Sequence, residues 1–450
     1  MDAAKQKTND RPVQPWLGKL RVVIRALRHR NFRLFVSGQF LSLIGTWVQT
    51  VALSWLVYRL THSSVMLGLV GFAGQIPYLL LSPVAGVVAD RMNRRRLVTL
   101  TQIAAMVQAI VLAGLTLTNV VKPWHIFCLA LGLGVVGVFD MTGRQSFLVE
   151  MVGKEDLMNA IALNSSVYNS GRLLGPAVAG VLVAVIGEGW CFVVNAASFL
   201  AVIAGLWMMR LPPTRPPEAT VSPYQHFREG WDYVWHHPSS RALLLLLGIS
   251  SIMNYPFLVL MPIFADRVLH GGPKTLGVLM SATGVGAILG ALYMAARTGV
   301  RGLSRTILAS TIIYSVALIL FSSSRNIHFS MLMLVGTGFG MLLQVAGTNT
   351  TLQTIVPDSL RGRVVSFYGM MFMGMAPIGS LLAGWLGGLI GAPYTVAMGA
   401  VVCIIAALAF NRRRPVVRAA LLQAMMQQDT ALVPVPAPIP DAIPSEGEAR

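Results

Sequence analysis

Long apolar runs constrain the fold of this chain more than any other feature. A helix needs about 20 apolar residues to cross the hydrocarbon core of a bilayer, where every backbone N–H and C=O must be bonded within the protein. Twelve such runs follow one another, at residues 32–58, 66–88, 97–117, 124–142, 160–186, 190–209, 243–264, 276–296, 306–321, 329–353, 364–390 and 393–410. Only 12% of the residues are charged, against about 25% in soluble domains. The sequence therefore predicts an all-α membrane protein with twelve transmembrane helices.

The positions of the basic residues predict the orientation of these helices. If the N-terminus is cytoplasmic, the external loops hold only Arg59, Lys122, Arg267, Lys274 and Arg325, and Arg172 lies within a helix. The other 29 of the 35 Lys and Arg residues then lie on the cytoplasmic side, as the positive-inside rule requires. We therefore expect a multi-pass protein of the plasma membrane (the inner membrane, if the cell is Gram-negative) with both termini in the cytoplasm. Although the net charge is +18, no basic stripe of the nucleic-acid-binding kind is present, and we expect no nucleic-acid partner.

The second half of the chain resembles the first. Gly132 and Gly134 match Gly336 and Gly338 at an offset of 204 residues, and Leu67-Gly68 matches Leu276-Gly277 at a slightly longer one. An even number of helices separates equivalent points, which predicts two parallel six-helix pseudo-repeats with a substrate site between them near mid-membrane.

The predicted organisation has five parts. They are a basic cytoplasmic N-terminal segment (1–31), an N-terminal half (32–209), a cytoplasmic linker with an amphipathic helix (210–241), a C-terminal half (242–411) and a cytoplasmic, mostly disordered tail (412–450).

The most specific short motif lies in the turn between the second and third helices. It comprises Gly86, Asp90, Arg91, Arg94 and Arg95. A small residue such as Gly86 allows two helix backbones to approach closely, and Asp90 is placed to meet the positive N-terminus of a helix from the other half. A topology signal would require only the basic residues of the motif.

This turn resembles the signature G-x-x-x-D-R-x-x-R-R of the major facilitator superfamily. The resemblance implies the twelve-helix fold of that superfamily and a gate, formed by Asp90 and the arginines, that favours the outward-facing state. It covers residues 30–410. The equivalent turn of the second half, residues 297–302, lacks the acidic residue.

A second motif lies in the fifth helix, at Gly171, Gly175, Pro176 and Gly180. It is similar to the exporter signature G-x-x-x-G-P-x-x-G-G of the same superfamily, with Ala179 in place of one glycine. Within the superfamily, the stretch from Arg144 to Gly180 is most similar to bacterial drug and siderophore exporters of the enterobactin-exporter and macrolide-efflux type. Pro176 removes a backbone hydrogen bond and bends the helix. The alternative is that these residues serve helix packing only.

Ionisable residues inside the membrane are the candidates for coupling, because each is costly there. Asp140 and Arg144 are spaced to pair on one helix face, and Asp140 is the leading candidate for proton carrier. The superfamily resemblance implies that an acid near this point completes a charge relay with the turn after the second helix, a role that Asp140 or Glu150 could fill. Arg172, deep in the fifth helix, is expected to contact the substrate or the proton relay. The alternative is a structural hydrogen bond from Arg172 to neighbouring carbonyls. Uncharged polar residues that are candidates for lining the cavity are Gln39, Gln49, Asn169, Asn254 and Gln344.

These features together predict a secondary active transporter. We expect a proton-coupled exporter of small amphipathic compounds, a drug or a siderophore, that works as a monomer in the lipid bilayer by alternating access. The chain has no P-loop and no metal-ligand spacing, and we expect neither enzymatic activity nor a cofactor or bound metal. The alternatives are an importer or lipid-type facilitator of the same fold, or a membrane sensor or scaffold that transports nothing.

Overall fold

The computed structural model describes residues 25–153, 155–210, 223–254, 257–297 and 299–431. These residues form α-helices joined by short turns. In chain order the helices are α1 (Arg30–Thr61), α2 (Ser64–Arg91), α3 (Arg94–Leu117), α4 (Pro123–Val152), α5 (157–186), α6 (188–208), α7 (Pro223–His236), α8 (Pro238–Met253), α9 (Phe257–Ile263), α10 (Pro273–Ala296), α11 (Leu303–Ser323), α12 (Ile327–Ile355), α13 (Asp358–Gly369), α14 (Ala376–Leu389) and α15 (Ala392–Ala431). Two π-helical segments, Phe264–Val268 and Met370–Gly374, follow α9 and α13.

Within the described part of the chain, eleven helical stretches are long and apolar enough to cross a membrane. The run Leu157–Met208 contains two crossings, because its 52 residues would extend about 78 Å as one straight helix. Gly187 breaks it with φ 78° and ψ 169°. The chain reverses there, since Asn159 and Met208 both bond to residues near the start of the described chain, at Ala26 and Arg30 respectively. The prediction of an all-α membrane fold is confirmed, and Gly187 accounts for the difference between eleven stretches and twelve crossings.

The turns between helices alternate between two faces of the bundle. We call the face that carries the turns 92–93, 153–156 and 297–302 the basic face, and the opposite one the far face. On the basic face only Met92 and Asn93 separate α2 from α3, and the Asn93 side chain caps α3 by accepting from the Arg96 amide at 3.1 Å. This cap stabilises the arginine-rich turn, and it is supplied by Asn93, a position at which the sequence motif specifies no residue.

The two halves, α1–α6 and α8–α15, meet through glycine pairs. A Cβ added at Gly277 of α10 would lie 2.5 Å from Cα of Gly180 in α5, and one added at Gly68 of α2 would lie 2.8 Å from Cα of Gly384 in α14. Gly68 corresponds to Gly277, and Gly180 precedes Gly384 by the same 204 residues that relate other equivalent positions. The two contacts are therefore related by the internal repeat, and the prediction of two six-helix pseudo-repeats is confirmed.

Polar contacts close the far face. Tyr58 of α1, which is 1% exposed, donates its hydroxyl hydrogen to Asp266 Oδ2 of the other half at 2.7 Å. Arg267 donates to the carbonyl oxygen of His62 at 3.3 Å and stacks over the Tyr58 ring. These contacts join the first helix of one half to the π-helical segment of the other.

The bundle is open towards the basic face. Among the described residues, the cross-half hydrogen bonds and glycine contacts extend from the far face only to the level of Gln75 with Ser380 and of Leu79 with Gly374. Nearer the basic face, a Cβ added at Gly86, Gly362 or Gly369 would meet no atom within 4 Å. We conclude that the chain adopts a conformation closed at the far face and open at the basic face.

The linker helix α7 packs against the second half. Trp231 contacts Phe367 of α13, with ring centroids 6.2 Å apart, and Glu229 pairs with Arg363. Val234 is buried, while Trp235 remains 54% exposed. One face of this amphipathic helix therefore covers protein.

The last helix is longer than the sequence predicts. A mostly disordered tail is expected at residues 412–450, whereas α15 continues to Ala431. Residues 416–426 are rich in Ala, Leu and Met, which favour helix. Val417 and Leu421, four residues apart, are buried in the core of the second half. Packing thus supports the extension, and residues 432–450 lie outside the described residues.

Candidate functional site

The arginines of the α2–α3 turn bind residues of their own half. Arg94 donates to Glu150 Oε1 of α4 at 2.8 Å, and Arg95 donates to the carbonyl oxygen of Trp207 in α6 at 3.1 Å. Arg91 is exposed. The side chain of Asp90 lies outside the described residues. These contacts brace the turn against α4 and α6 on the open face.

Gly86 makes no close helix contact in this conformation. The sequence motif predicts a close approach of two backbones there, yet a Cβ at this position would meet nothing within 4 Å. The physical reason is that the ends of the two halves are apart at the basic face. Any close approach at Gly86 therefore belongs to a state in which that face is closed.

Asp140 is the centre of a polar cluster inside the first half. It pairs with Arg144 at 2.6 Å and accepts hydrogen bonds from Thr101 Oγ1 at 2.8 Å and Gln102 Nε2 at 2.7 Å. Thr101 and Gln102 lie on α3, so the cluster joins α3 to α4. Arg144 also buries an Nε atom that has no hydrogen-bond partner among the described residues.

The predicted relay residues form two separate ion pairs in this conformation. Asp140 pairs with Arg144, and Glu150 pairs with Arg94. No hydrogen bond or ion pair between the described atoms of these two pairs joins them directly. The Arg172 side chain lies outside the described residues, so its predicted part in the relay remains a prediction.

The glycines of the α5 motif are packing positions against two different helices. A Cβ at Gly171 would lie 2.5 Å from Leu43 of α1, and one at Gly175 would overlap Trp47 of the same helix. Gly180 instead contacts Gly277 of the other half, next to the carbonyl oxygen of Pro176. The motif thus joins α5 to its own half with two glycines and to the opposite half with the third.

Two of the predicted cavity residues are buried within the first half. Gln49 donates to Gln108 at 3.0 Å and accepts from Asn195 at 2.8 Å, so both ends of its amide help to hold α1, α3 and α6 together. Gln39 is 7% exposed and its Oε1 atom has no partner among the described residues. The Asn169 side chain lies outside the described residues.

The other two predicted residues meet in the second half. Asn254 and Gln344 line one narrow cavity enclosed by α8, α11, α12 and the segment Met370–Gly374. Gln344 donates to Ser250 Oγ at 2.8 Å and accepts from the Tyr314 hydroxyl at 3.2 Å. Among the predicted cavity residues whose side chains the structure describes, these are the two that line one cavity.

Several contact residues are not predictable from the sequence motifs. They are the polar residues Thr101 and Gln102 and the glycines Gly68, Gly277 and Gly384. The match of Leu67-Gly68 to Leu276-Gly277 was the available signal for two of those glycines, whereas nothing in the sequence pairs α3 residues with Asp140.

A buried carboxylate on the basic face was also missed. Asp156 is 1% exposed and binds Arg25 at 2.8 Å, Arg28 at 2.8 Å and His29 at 2.7 Å. The hydrogen bond with His29, followed by the two guanidinium groups, holds the pKa of Asp156 below its usual range despite burial. The cluster ties the start of the described chain to the α4–α5 turn.

We expect Asp156→Asn to lower the thermal stability of the purified protein at pH 7 but not at strongly acidic pH. Since the folded pKa is depressed, the carboxylate stabilises the fold above its ordinary pKa of 3.8, and this contribution is lost as the pH falls through the lowered value. The measurement is the difference in Tm between wild type and variant from pH 7 to pH 3. Asp232→Asn, on the linker helix, is the control and should show no such change. A Tm difference that stays constant down to pH 3 would contradict the assignment.

The sequence comparisons identify relatives over most of the chain. The model of a family described as transmembrane secretion effector, which belongs to the major facilitator superfamily, matches residues 23–435. The chain is 27% identical to the Staphyloferrin A transporter of Staphylococcus aureus, over 78% of this chain and 88% of that protein. It is 28% identical to the multidrug efflux pump Tap of Mycolicibacterium fortuitum, over 76% and 85%. It is 27% identical to the enterobactin exporter EntS of Shigella boydii, over 83% and 88%.

Solved structures share the fold. A bacterial homolog of the human lysosomal transporter Spinster, inward-facing and unoccupied, superposes with a TM-score of 0.64 at 16% identity, covering 88% of this chain and 98% of that one. The nucleoside transporter NupG also gives 0.64, at 14% identity, covering 85% of this chain and 98% of that one. The predicted superfamily resemblance is confirmed, and the family consists of transporters, not enzymes. The chain is a multi-pass membrane transporter that belongs to the transmembrane secretion effector family of the major facilitator superfamily.

Proposed function

We propose that this chain exports small amphipathic compounds from the cytoplasm by alternating access. The conformation carries the proposal: the two halves are packed through paired glycines at the far face and separate at the basic face. A protein whose two halves separate on one side only has the geometry that alternating access requires. The relatives, which include a multidrug efflux pump and an enterobactin exporter, support compounds of the drug or siderophore type.

In this proposal the basic face is the cytoplasmic face. The turns of that face carry Arg91, Arg94, Arg95 and Arg96, whereas the far-face turn 118–122 carries only Lys122. The positive-inside rule supports placing the arginine-rich turns and both termini in the cytoplasm. The described conformation is then open to the cytoplasm, ready to take up an exported compound.

We also propose that protons drive the export and that Asp140 carries them. Its carboxylate is held by Arg144, Thr101 and Gln102. Protonation removes the negative charge that Arg144 pairs with, and the released guanidinium group alters the contacts between α3 and α4. Proton binding can thereby bias one conformation over the other. The chain is proposed to act as a monomer, because both halves of the transport pathway lie in one chain.

One accumulation screen distinguishes an exporter from an importer or facilitator and from a sensor or scaffold. Cells with and without the gene are exposed to antibiotics, siderophores and lysolipids, and the internal amount of each compound is measured. An exporter predicts that cells lacking the gene accumulate more of at least one compound and grow less well in it. Lower accumulation in those cells would identify an importer or facilitator. Equal accumulation of the whole panel would contradict transport of these compounds and favour a sensor or scaffold.

A further inference from the structure

A pocket of about 360 Å³ opens on the basic face of the first half, and we call it the arginine pocket. The start of α1, the last turn of α4 and the chain after α6 line it, through His29, Arg30, Asn31, Met151 and Arg210. No acidic side chain is among the lining residues that the structure describes. The pocket is large enough for a small ligand, and its lining is basic.

Hydrogen bonds between α1 and the end of α6 build the pocket. Arg30 donates from Nη1 to the carbonyl oxygen of Met208 at 3.0 Å, which orients its guanidinium group. Asn31 donates from Nδ2 to the carbonyl oxygen of Arg210 at 2.8 Å and accepts from the Arg210 amide at 3.2 Å. The backbone of Arg210 is therefore held on both sides. Each guanidinium group has five N–H donors, so both arginines keep donors for a ligand.

Carboxylates close to the pocket do not cancel its positive charge. Asp156 already pairs with three basic side chains, and Glu150 pairs with Arg94 at 2.8 Å. Arg30 and Arg210 have no carboxylate partner among the described residues. The pocket therefore carries a net positive charge and attracts anions.

At the equivalent place in the second half, the chain itself fills the space. Ile355, which is related to Met151 by the offset of 204 residues, packs against a core that contains Val417 and Leu421 of α15. Helix α15 reaches this core because it extends past its apolar run, whereas α6 ends at Met208. The first half thus leaves open, and lines with arginines, a space that apolar side chains occupy in the second half.

The arginine pocket lies where the membrane-spanning helices end. The apolar run of the first helix begins at residue 32 and that of the sixth ends at residue 209, so Arg30 and Arg210 lie just outside the apolar runs. Leu200 and Trp207, seven residues apart on α6, are 55% and 67% exposed. Such side chains face lipid, and a tryptophan near the end of a spanning helix lies at head-group level. A lipid chain packed on α6 would bring its head group to the pocket.

We propose that the arginine pocket binds the phosphate of an anionic phospholipid from the adjacent leaflet. Arg30 and Arg210 bind the phosphate oxygens through charge-assisted hydrogen bonds, and an acyl chain packs against the exposed side chains of α6. Basic pockets between transmembrane helices recognise acidic head groups in this way. The bound lipid joins the ends of α1, α4 and α6, where the other half uses its own last helix. The site does not depend on which compound the chain transports.

Native mass spectrometry of the purified full-length chain in a neutral detergent tests the proposal. Phosphatidylglycerol and phosphatidylcholine with the same acyl chains are titrated separately, and the dissociation constants of the first bound lipid are compared. The wild type should bind phosphatidylglycerol about tenfold or more tightly, the scale of one hydrogen bond to a charged group. Arg210→Glu leaves the bond of Arg30 to Met208 in place and should abolish the preference. Arg418→Glu, the same change at an exposed arginine of α15, is the matched control and should keep it.

Two further measurements keep the result interpretable. Arg30→Gln covers the case in which Arg210→Glu does not fold, and it should also lower the preference. Inorganic phosphate, compared with chloride at the same ionic strength, should not displace phosphatidylglycerol, because it has no acyl chain to pack against α6.

Four results would overturn the proposal. They are equal binding of both lipids by the wild type, a preference that folded Arg30 and Arg210 variants retain, an equal loss in Arg418→Glu, and displacement of the lipid by phosphate. The third would assign the preference to surface charge in general, and the fourth would assign the pocket to a soluble phosphate compound.

Discussion

Replacing Gly277 by valine is expected to force the two halves apart at the far face and to reduce transport by roughly tenfold or more. The added Cβ would lie 2.5 Å from Gly180 Cα and 2.6 Å from the Pro176 carbonyl oxygen, both of which are backbone atoms. Overpacking of this kind costs about 1–3 kcal/mol, which shifts a two-state equilibrium by roughly fivefold to a hundredfold. The described conformation should therefore be depopulated in favour of a state that is open at the far face.

The distance between the far ends of the halves measures this shift. Spin labels at Val120→Cys and Arg325→Cys, in the far-face turns of the two halves, report the separation once the exposed Cys128 is replaced by serine. Gly277→Val should lengthen the distance distribution. Gly132→Val is the matched control, since a Cβ at Gly132 in α4 would meet nothing within 4 Å. An unchanged distribution, together with unchanged transport, would show that the glycine pair does not hold the far face closed.

Asp140→Asn is expected to abolish proton-driven transport while leaving exchange of substrate across the membrane intact. Asparagine fills the same volume and still accepts from Thr101 and Gln102, but it carries no charge for Arg144 and no exchangeable acidic proton. Accumulation in the presence of a proton gradient should fall to the level seen without one, because no group at this position can then carry a proton. Counterflow of labelled against unlabelled substrate, measured without a proton gradient, should persist.

Glu150→Gln is the matched control for this variant. It is another acid-to-amide change on α4, ten residues further along, and it disturbs the pair with Arg94 instead. Coupling should survive in this variant. If Glu150→Gln uncouples transport and Asp140→Asn does not, the proton carrier is Glu150 and the assignment of Asp140 is wrong.

The crossings could be predicted from the sequence because the membrane requires long apolar helices. Hydropathy predicts two separate crossings on either side of Gly187, although no loop separates the two helices in the structure. Packing inside the second half was not predictable in the same way. Helix α15 continues past Pro415 because Val417 and Leu421 are buried in the core of the second half. This packing depends on neighbouring helices, so the local sequence pattern does not predict it.

The site was predicted less completely, since side-chain partners depend on which helices are neighbours and on the conformation. The i, i+4 pair of Asp140 and Arg144 was readable from spacing, but its donors on α3 were not. Gln49 and Gln344 are both polar residues within apolar helices, so the sequence does not distinguish them. In the structure Gln49 bonds Gln108 inside the first half, whereas Gln344 lines the cavity of the second half. Gly86 is expected to allow a close helix contact, but it makes none in this conformation because the two halves are apart at the basic face.

Uptake by inside-out vesicles tests proton-coupled export most directly. Vesicles containing the wild-type chain are given an acidic interior, and a panel of drugs and siderophores is added outside, on the side that corresponds to the cytoplasm. At least one compound should accumulate inside, and a protonophore or Asp140→Asn should prevent the accumulation. If no compound accumulates, or if accumulation is the same without the gradient, the chain is not the proton-driven exporter that we propose.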